Sequence, residues 1–180
     1  MTIAIQLIIW LSLIGFLVCI RTKGWPVRVT LLEYQRAVLY RRGLPIKEVD
    51  YGSHRVWNGT EKLIIVDTRP IQVSIENSTV ALRDDMAAVY GISGSARVQD
   101  ARKAIYSARN YNQVPAFVLV CCTRLVLNGL TSQELRSGKD RIVEQITNLA
   151  KSRLADAGLE LLGFRLNVIS ISAIKPRSTE

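Results

Sequence analysis

From Ile3 to Ile20 the chain reads IAIQLIIWLSLIGFLVCI, eighteen residues without a charge and with only Gln6 and Ser12 clearly polar. A helix wound from this segment is apolar on every face, whereas a surface helix keeps one face polar. At about 1.5 Å per residue it covers roughly 27 Å, close to the ~30 Å hydrocarbon thickness of a bilayer. The pattern predicts an uncleaved membrane-spanning anchor. A cleaved signal fits poorly, because Met1-Thr2 supplies no basic stretch ahead of the apolar run. Arg21-Thr22-Lys23-Gly24-Trp25-Pro26 also stands where small residues would mark a cleavage point.

After Pro26 the period changes to two. Val27, Val29 and Leu31 alternate, and Ala37 to Tyr40 form a second run closed by Arg41-Arg42-Gly43. Leu44-Pro45 and Asp50-Tyr51-Gly52-Ser53 read as connections. Asn58-Gly59, set between His54–Trp57 and Leu63–Val66, predicts a β-hairpin, since both turn residues adopt positive φ readily. Ile71, Val73 and Ile75 alternate next, with a turn expected at Asn77-Ser78 and another at Asp84-Asp85. The long strand that follows, residues 87–98, places Ala88, Tyr90, Ile92, Gly94, Ala96 and Val98 on one face, with Gly91 and Gly94 as bulges or close approaches.

The second half reads as helices. Ala101, Ala104, Ile105 and Ala108 share a face, and Pro115 opens a longer helix halted by Asn128-Gly129. Thr131 to Glu134 can cap a short turn, and the clearest helix, Lys139 to Ala157, carries a stripe of Ile142, Ile146, Leu149 and Arg153 with Gly158 as its stop. A last strand runs from Leu159 to Ile174, bulged at Gly163 and ended by Pro176. The fold class is α+β: an N-terminal transmembrane helix in residues 1–24, one small domain in 25–176 with an antiparallel sheet followed by helices, and a tail in 177–180.

Charge sets the orientation. No Lys or Arg precedes the apolar run, while Arg21, Lys23 and Arg28 follow it, so the bulk of the chain is expected on the cytoplasmic side. Ile3 and Ile20 bound the inserted segment; Arg21, Lys23, Arg28 and Trp25, an aromatic-belt residue, are the expected head-group contacts. The formal net charge of +9 suits an anionic leaflet, where each basic group contributes about 1 kcal/mol. It would also suit nucleic acid, but no run of five or six like charges exists, and Gly91-Ile92-Ser93-Gly94, which spells a phosphate-clamping G-x-x-G, falls in a strand. A membrane-tethered nucleic-acid-binding module is therefore a distant alternative, and no nucleic acid is expected as partner.

Chemistry is sparse. His54 is the sole histidine, with no nucleophile elbow, H-E-x-x-H or phosphate-cradling glycine loop beside it, and Ser172-Ala173-Ile174-Lys175 puts its Ser and Lys on opposite strand faces. Asp84-Asp85 reads as turn chemistry. Cys121-Cys122 neither forms a disulfide framework nor a C-x-x-C, and lies in an apolar helix, whereas Cys19 at the end of the anchor is an acylation candidate. Asn58-Gly59-Thr60 and Asn77-Ser78-Thr79 would matter only in a lumen. No catalytic residue, metal or cofactor is expected.

Several motifs, taken in order, resemble the stomatin, prohibitin and flotillin superfamily, whose shared module is the SPFH or Band 7 domain. They are Glu33 to Gly43, Gly52-Ser53-His54, Val66-Asp67-Thr68-Arg69, Arg83-Asp84-Asp85-Met86, Arg97-Val98-Gln99-Asp100, Leu125 to Leu135 and Ala157 to Leu161. The resemblance implies a curved antiparallel sheet with helices packed at one side. It also implies a non-catalytic membrane scaffold that self-associates with itself or related subunits, organises a patch of bilayer and modulates a membrane protease or channel. The alternative is a small-oligomer regulator of one such protease or channel. Members usually continue into a long coiled coil, which is missing from this sequence, ending four residues after Pro176. On the helix from Lys139, the expected oligomer contacts are Asp140, Arg141, Glu144, Lys151 and Arg153, pairs that fix register more than they stabilise.

Overall fold

The computed structural model describes residues 2–23 and 25–173, with the side chains of residues 2–5, 7, 8, 19, 20, 22 and 23 outside the described set. Contacts divide the chain into two compact units, Met1–Asp67 and Thr68–Glu180. Both are α+β with antiparallel pairing, as the sequence pattern predicts.

The first unit opens with helix α1 (Thr2–Lys23). Its large apolar side chains from Ile9 to Val18 are 49–68% exposed. Among the described residues no helix is long and apolar enough to cross a membrane; that set lacks the side chains at both ends of α1. Five strands follow: β1 (Pro26–Leu31), β2 (Gln35–Arg41), β3 (Leu44–Val49), β4 (Gly52–Trp57) and β5 (Glu61–Asp67). β1 pairs with β4, and β2 lies between β3 and β5. Leu31, Ala37, Leu39, Val49 and Val56 form the core, drawing residues from both sheets, with Val29 and Leu63 against it.

Two local readings fail here for a common reason. The Asn58-Gly59 turn does form, closed by Thr60 N–H donating to the Trp57 carbonyl at 3.1 Å, but its flanking strands do not make a hairpin. β4 gives its hydrogen bonds to β1 and β5 gives its own to β2, so the turn links two sheets. Leu44-Pro45 begins β3 instead of a plain connection. Proline is tolerated there because β3 is an edge strand, and the register shift between Leu39 and Tyr40 leaves Ile46 as a bulged residue.

In the second unit β6 (Ile71–Ala81), β7 (Met86–Val98) and β8 (Leu159–Ala173) form one sheet in that order. Asn77 does not end β6: at φ 57° it forms a bulge, and the strand runs through to Ala81. Asp84-Asp85 is the turn, with Asp85 at φ 57°. In β7 the residues Ala88, Tyr90, Ile92, Ala96 and Val98 are buried, as the alternation predicts. Gly94 is the close approach, since a Cβ there would lie 3.0 Å from the Gly163 carbonyl and 3.1 Å from Leu119 Cδ1. β8 carries its bulges at Leu162, one residue before Gly163, and at Ile169.

The helices α2 (Ala101–Ser107), α3 (Val114–Asn128), α4 (Ser132–Ser137) and α5 (Lys139–Asp156) come between β7 and β8. α3 packs on β6 and α5 on β8, and the two helices pack on each other. The buried stripe of α5 is Ile142, Ile146, Ala150 and Leu154: the first two are as expected, and Ala150 and Leu154 stand where Leu149 and Arg153 were expected, Arg153 being exposed. Strict four-residue spacing keeps small Ala150 under the sheet, and a pattern scored on bulk alone picks Leu149 instead.

Polar caps fasten the connections. Asp100 accepts from Lys103 N–H at 2.9 Å at the head of α2, and Thr131 and Glu134 form a capping box on α4. Asp84 accepts from Ser132 N–H at 2.9 Å, tying the β6–β7 turn to α4. The Ser132 hydrogen bonds hold the Asp84 carboxyl below its ordinary range, and those of Thr131 do the same for Glu134. Gly158 ends α5 at φ 74°, and its carbonyl accepts from both Gln99 N–H and Asp100 N–H at 3.0 Å.

Gly158→Ala should therefore be costly: a Cβ would sit 2.6 Å from the Asp100 carbonyl oxygen and from Lys103 Cβ, in a left-handed backbone. Strain and overpacking together predict a loss of about 3 kcal/mol by thermal or denaturant unfolding. Gly129→Ala, at φ −85° with 3.6 Å of clearance, should be close to neutral. Asp84→Asn gives a pH signature. Because the folded-state pKa is lowered, the stabilisation is full above the unfolded value of about 3.9 and is lost as pH falls through the folded value. The melting-temperature gap between wild type and Asp84→Asn should be constant at neutral pH and close in acid.

Candidate membrane interface

The residues expected at the bilayer surface sit at the junction of α1 and β1. Arg21, Trp25 and Arg28 are exposed, Trp25 by 62%. Ile3, Cys19, Ile20 and Lys23 lie outside the described side chains. Trp25 is fixed by its backbone, its carbonyl accepting from Asn58 N–H at 3.2 Å, so the turn between β4 and β5 braces the point where the chain leaves α1.

Beside that brace lies an ion pair. Arg41, the last residue of β2, reaches Glu61 Oε1 through Nε at 3.0 Å and Nη2 at 2.6 Å, and Trp57 N–H donates to Glu61 Oε2 at 3.0 Å. The Glu61 side chain is 4% exposed. First the Trp57 hydrogen bond and then Arg41 hold its carboxyl below the usual carboxylate range. One side chain thereby joins β2, β4 and β5 next to Trp25. Sequence reasoning did not find it, because its two partners come from two other strands.

The other expected contacts are dispersed. On α5, Asp140, Glu144 and Lys151 share one side at spacings of four and seven, whereas Arg141 lies about 80° and Arg153 about 160° round the helix from it; all five are exposed. Cys122 is buried, and burial pushes its thiol pKa up, while Cys121 is partly exposed. The Gly91-Ile92-Ser93-Gly94 sequence lies inside β7 with Ile92 2% exposed, so it is not a loop that could clamp a backbone. His54 Nε2 donates to the Asp50 carbonyl at 2.9 Å, a structural use. Ser172 is exposed on β8, and Ile174 and Lys175 lie outside the described residues. Among the described residues no group of His, Cys, Asp or Glu could hold a metal.

Apolar exposure is the signal that the sequence reading overlooked. Leu44 is 71% and Ile46 47% exposed at the β2–β3 end, and Phe117 and Leu125 project from α3 at 71% and 58%. An apolar residue inside a regular pattern gives no sign of whether anything covers it.

Comparison with known proteins agrees with this architecture. The profile of the SPFH domain / Band 7 family matches residues 29–175. A stomatin homolog of Pyrococcus horikoshii is 27% identical over 149 residues, covering 79% of this chain and 52% of the relative. A stomatin homolog of Pyrococcus abyssi matches with the same identity and coverage. The chain thus spans about half the length of the curated relatives it matches. With the family profile spanning the second half of β1, the seven later strands and every helix after α1, this chain belongs to the SPFH domain / Band 7 family.

Proposed function

We propose that the chain is a non-catalytic scaffold, held in a membrane by residues 3–20 as a single-pass anchor, with its bulk on the cytoplasmic side, and that copies of it or related subunits assemble into a patch that organises neighbouring membrane proteins. The observation that carries the reading is the Band 7 match beginning at residue 29, behind an uncharged, largely apolar run of eighteen residues followed by a cationic flank. Arg21, Lys23, Trp25 and Arg28 hold the head-group level. The outward side of α5, with Asp140, Glu144 and Lys151, offers both signs of charge to a neighbouring copy and sets register.

The anchor is tested by membrane extraction. Replacing Leu11→Lys together with Ile14→Lys places two cations near the centre of the segment, each costing about 3 kcal/mol there. Wild-type chain should stay in the membrane pellet through alkaline carbonate washing, and the double variant should move to the supernatant. Wild-type protein released by the wash would overturn the anchor.

A further inference from the structure

Helix α3 is apolar on both sides. Its inward face carries Leu119, Cys122 and Leu127, all fully buried, and its outward face carries Phe117, Cys121 and Leu125 at steps of four residues. At about 100° per residue each step turns the stripe by about 40°, so these side chains form one ridge slanting across the helix. Among the described residues of the second unit, Phe117 is the most exposed large apolar side chain. A ridge of this kind left in water marks a contact surface.

At the head of the ridge lies a hollow of about 840 Å³, walled by Arg109, Asn110 and Gln113 from the segment before α3, by Val114 and Phe117 from α3 itself, and by Ala157 at the end of α5. The charges beside it are mostly of one sign. Arg124 is the sole charged residue of α3, Arg109 borders the hollow, and Arg153 of α5 stands close enough to Cys122 for its charge to act on that thiol. All three are exposed, and among the described residues none of them forms an ion pair. Asp156, next to Ala157, is the one acid at this rim. The other acids of the helical layer are placed or engaged elsewhere: Asp140 and Glu144 stand in the first two turns of α5, Glu134 is bonded to Thr131, and Asp100 caps α2.

We propose that the outer face of α3 receives an amphipathic helix of another protein, apolar along its seam and acidic along its edges. A helix suits the ridge because its own four-residue ridge seats alongside at a crossing angle of about −50°, with one apolar side chain in the hollow against Phe117 and another between Cys121 and Leu125. Acidic edges follow from Arg109, Arg124 and Arg153, which offer a carboxylate three cations against one acid. A second copy of this chain is the poorer occupant, since face-to-face pairing sets the same cations against each other. A bilayer surface is flat and leaves the hollow unfilled. The inference deepens the scaffold reading, and it rests on that reading for the source of the helix, a membrane protein held in the patch.

The test uses the full chain in phosphatidylcholine nanodiscs, with a photo-crosslinking amino acid at position 128, exposed at the last residue of α3, or at position 51 in the first unit as control. The probes are labelled synthetic peptides: a helix of Leu and Glu with Leu at alternating third and fourth positions, the same helix with Lys for Glu, and a Leu and Glu peptide of scrambled order. The acidic helix should crosslink at 128 and not at 51, reaching half-saturation at about a tenth of the concentration that the basic one needs, and added salt should narrow that gap. Phe117→Ser should weaken its binding about tenfold and Arg124→Glu about fivefold, with the unfolding temperature unchanged because both side chains are exposed. Equal crosslinking by all the peptides overturns the proposal. So does crosslinking at 128 to a second copy or to lipid that the acidic helix fails to displace. The mass of the detergent-extracted particle, measured beside it, keeps the two readings apart: an assembled particle that does not take the acidic helix overturns only this proposal, and a monomer that takes it overturns only the scaffold.

Discussion

An apolar helix whose large side chains from Ile9 to Val18 stand 49–68% exposed is the constraint from which the rest follows. Leaving such a group in water forfeits about 1.5–3 kcal/mol relative to burial. No arrangement of the five-stranded unit compensates, because its own core is closed by Leu31, Ala37, Leu39, Val49 and Val56. Behind the helix, the brace of Trp25 to Asn58 and the Arg41–Glu61 pair hold the ends of β2, β4 and β5 together.

The second unit is built for a different task. Its sheet buries one face under α3 and α5, and Gly94 and Gly158 permit the tight approaches that this requires. The caps at Asp84, Asp100 and Thr131 hold the turns between elements. What remains outward is α5 with mixed charge and α3 with Phe117 and Leu125 uncovered.

How much of this was legible depended on the range of the interactions. Features fixed within a few residues could be read: the stop at Gly158, the capping at Thr131, the turn at Asp84-Asp85 and the alternation of β7. Features decided by distant partners could not. Asn58-Gly59 announces a turn but does not say that β1 and β2 will take the flanking strands. Asn77 looks like a turn residue, and the long β7 opposite it holds β6 extended around a bulge. For the interface, the residue types near α1 were readable, whereas Glu61 and Ile46 needed the register of three strands before their placement had meaning.

The account stands or falls on whether one chain assembles. The direct measurement is the mass of the protein–detergent complex by light scattering after extraction of the full chain in a mild detergent, corrected for bound detergent. A scaffold predicts a large particle of defined mass that holds together on dilution. A monomer or dimer across the same range would contradict it and leave the chain as a membrane-held module that depends on another protein for assembly.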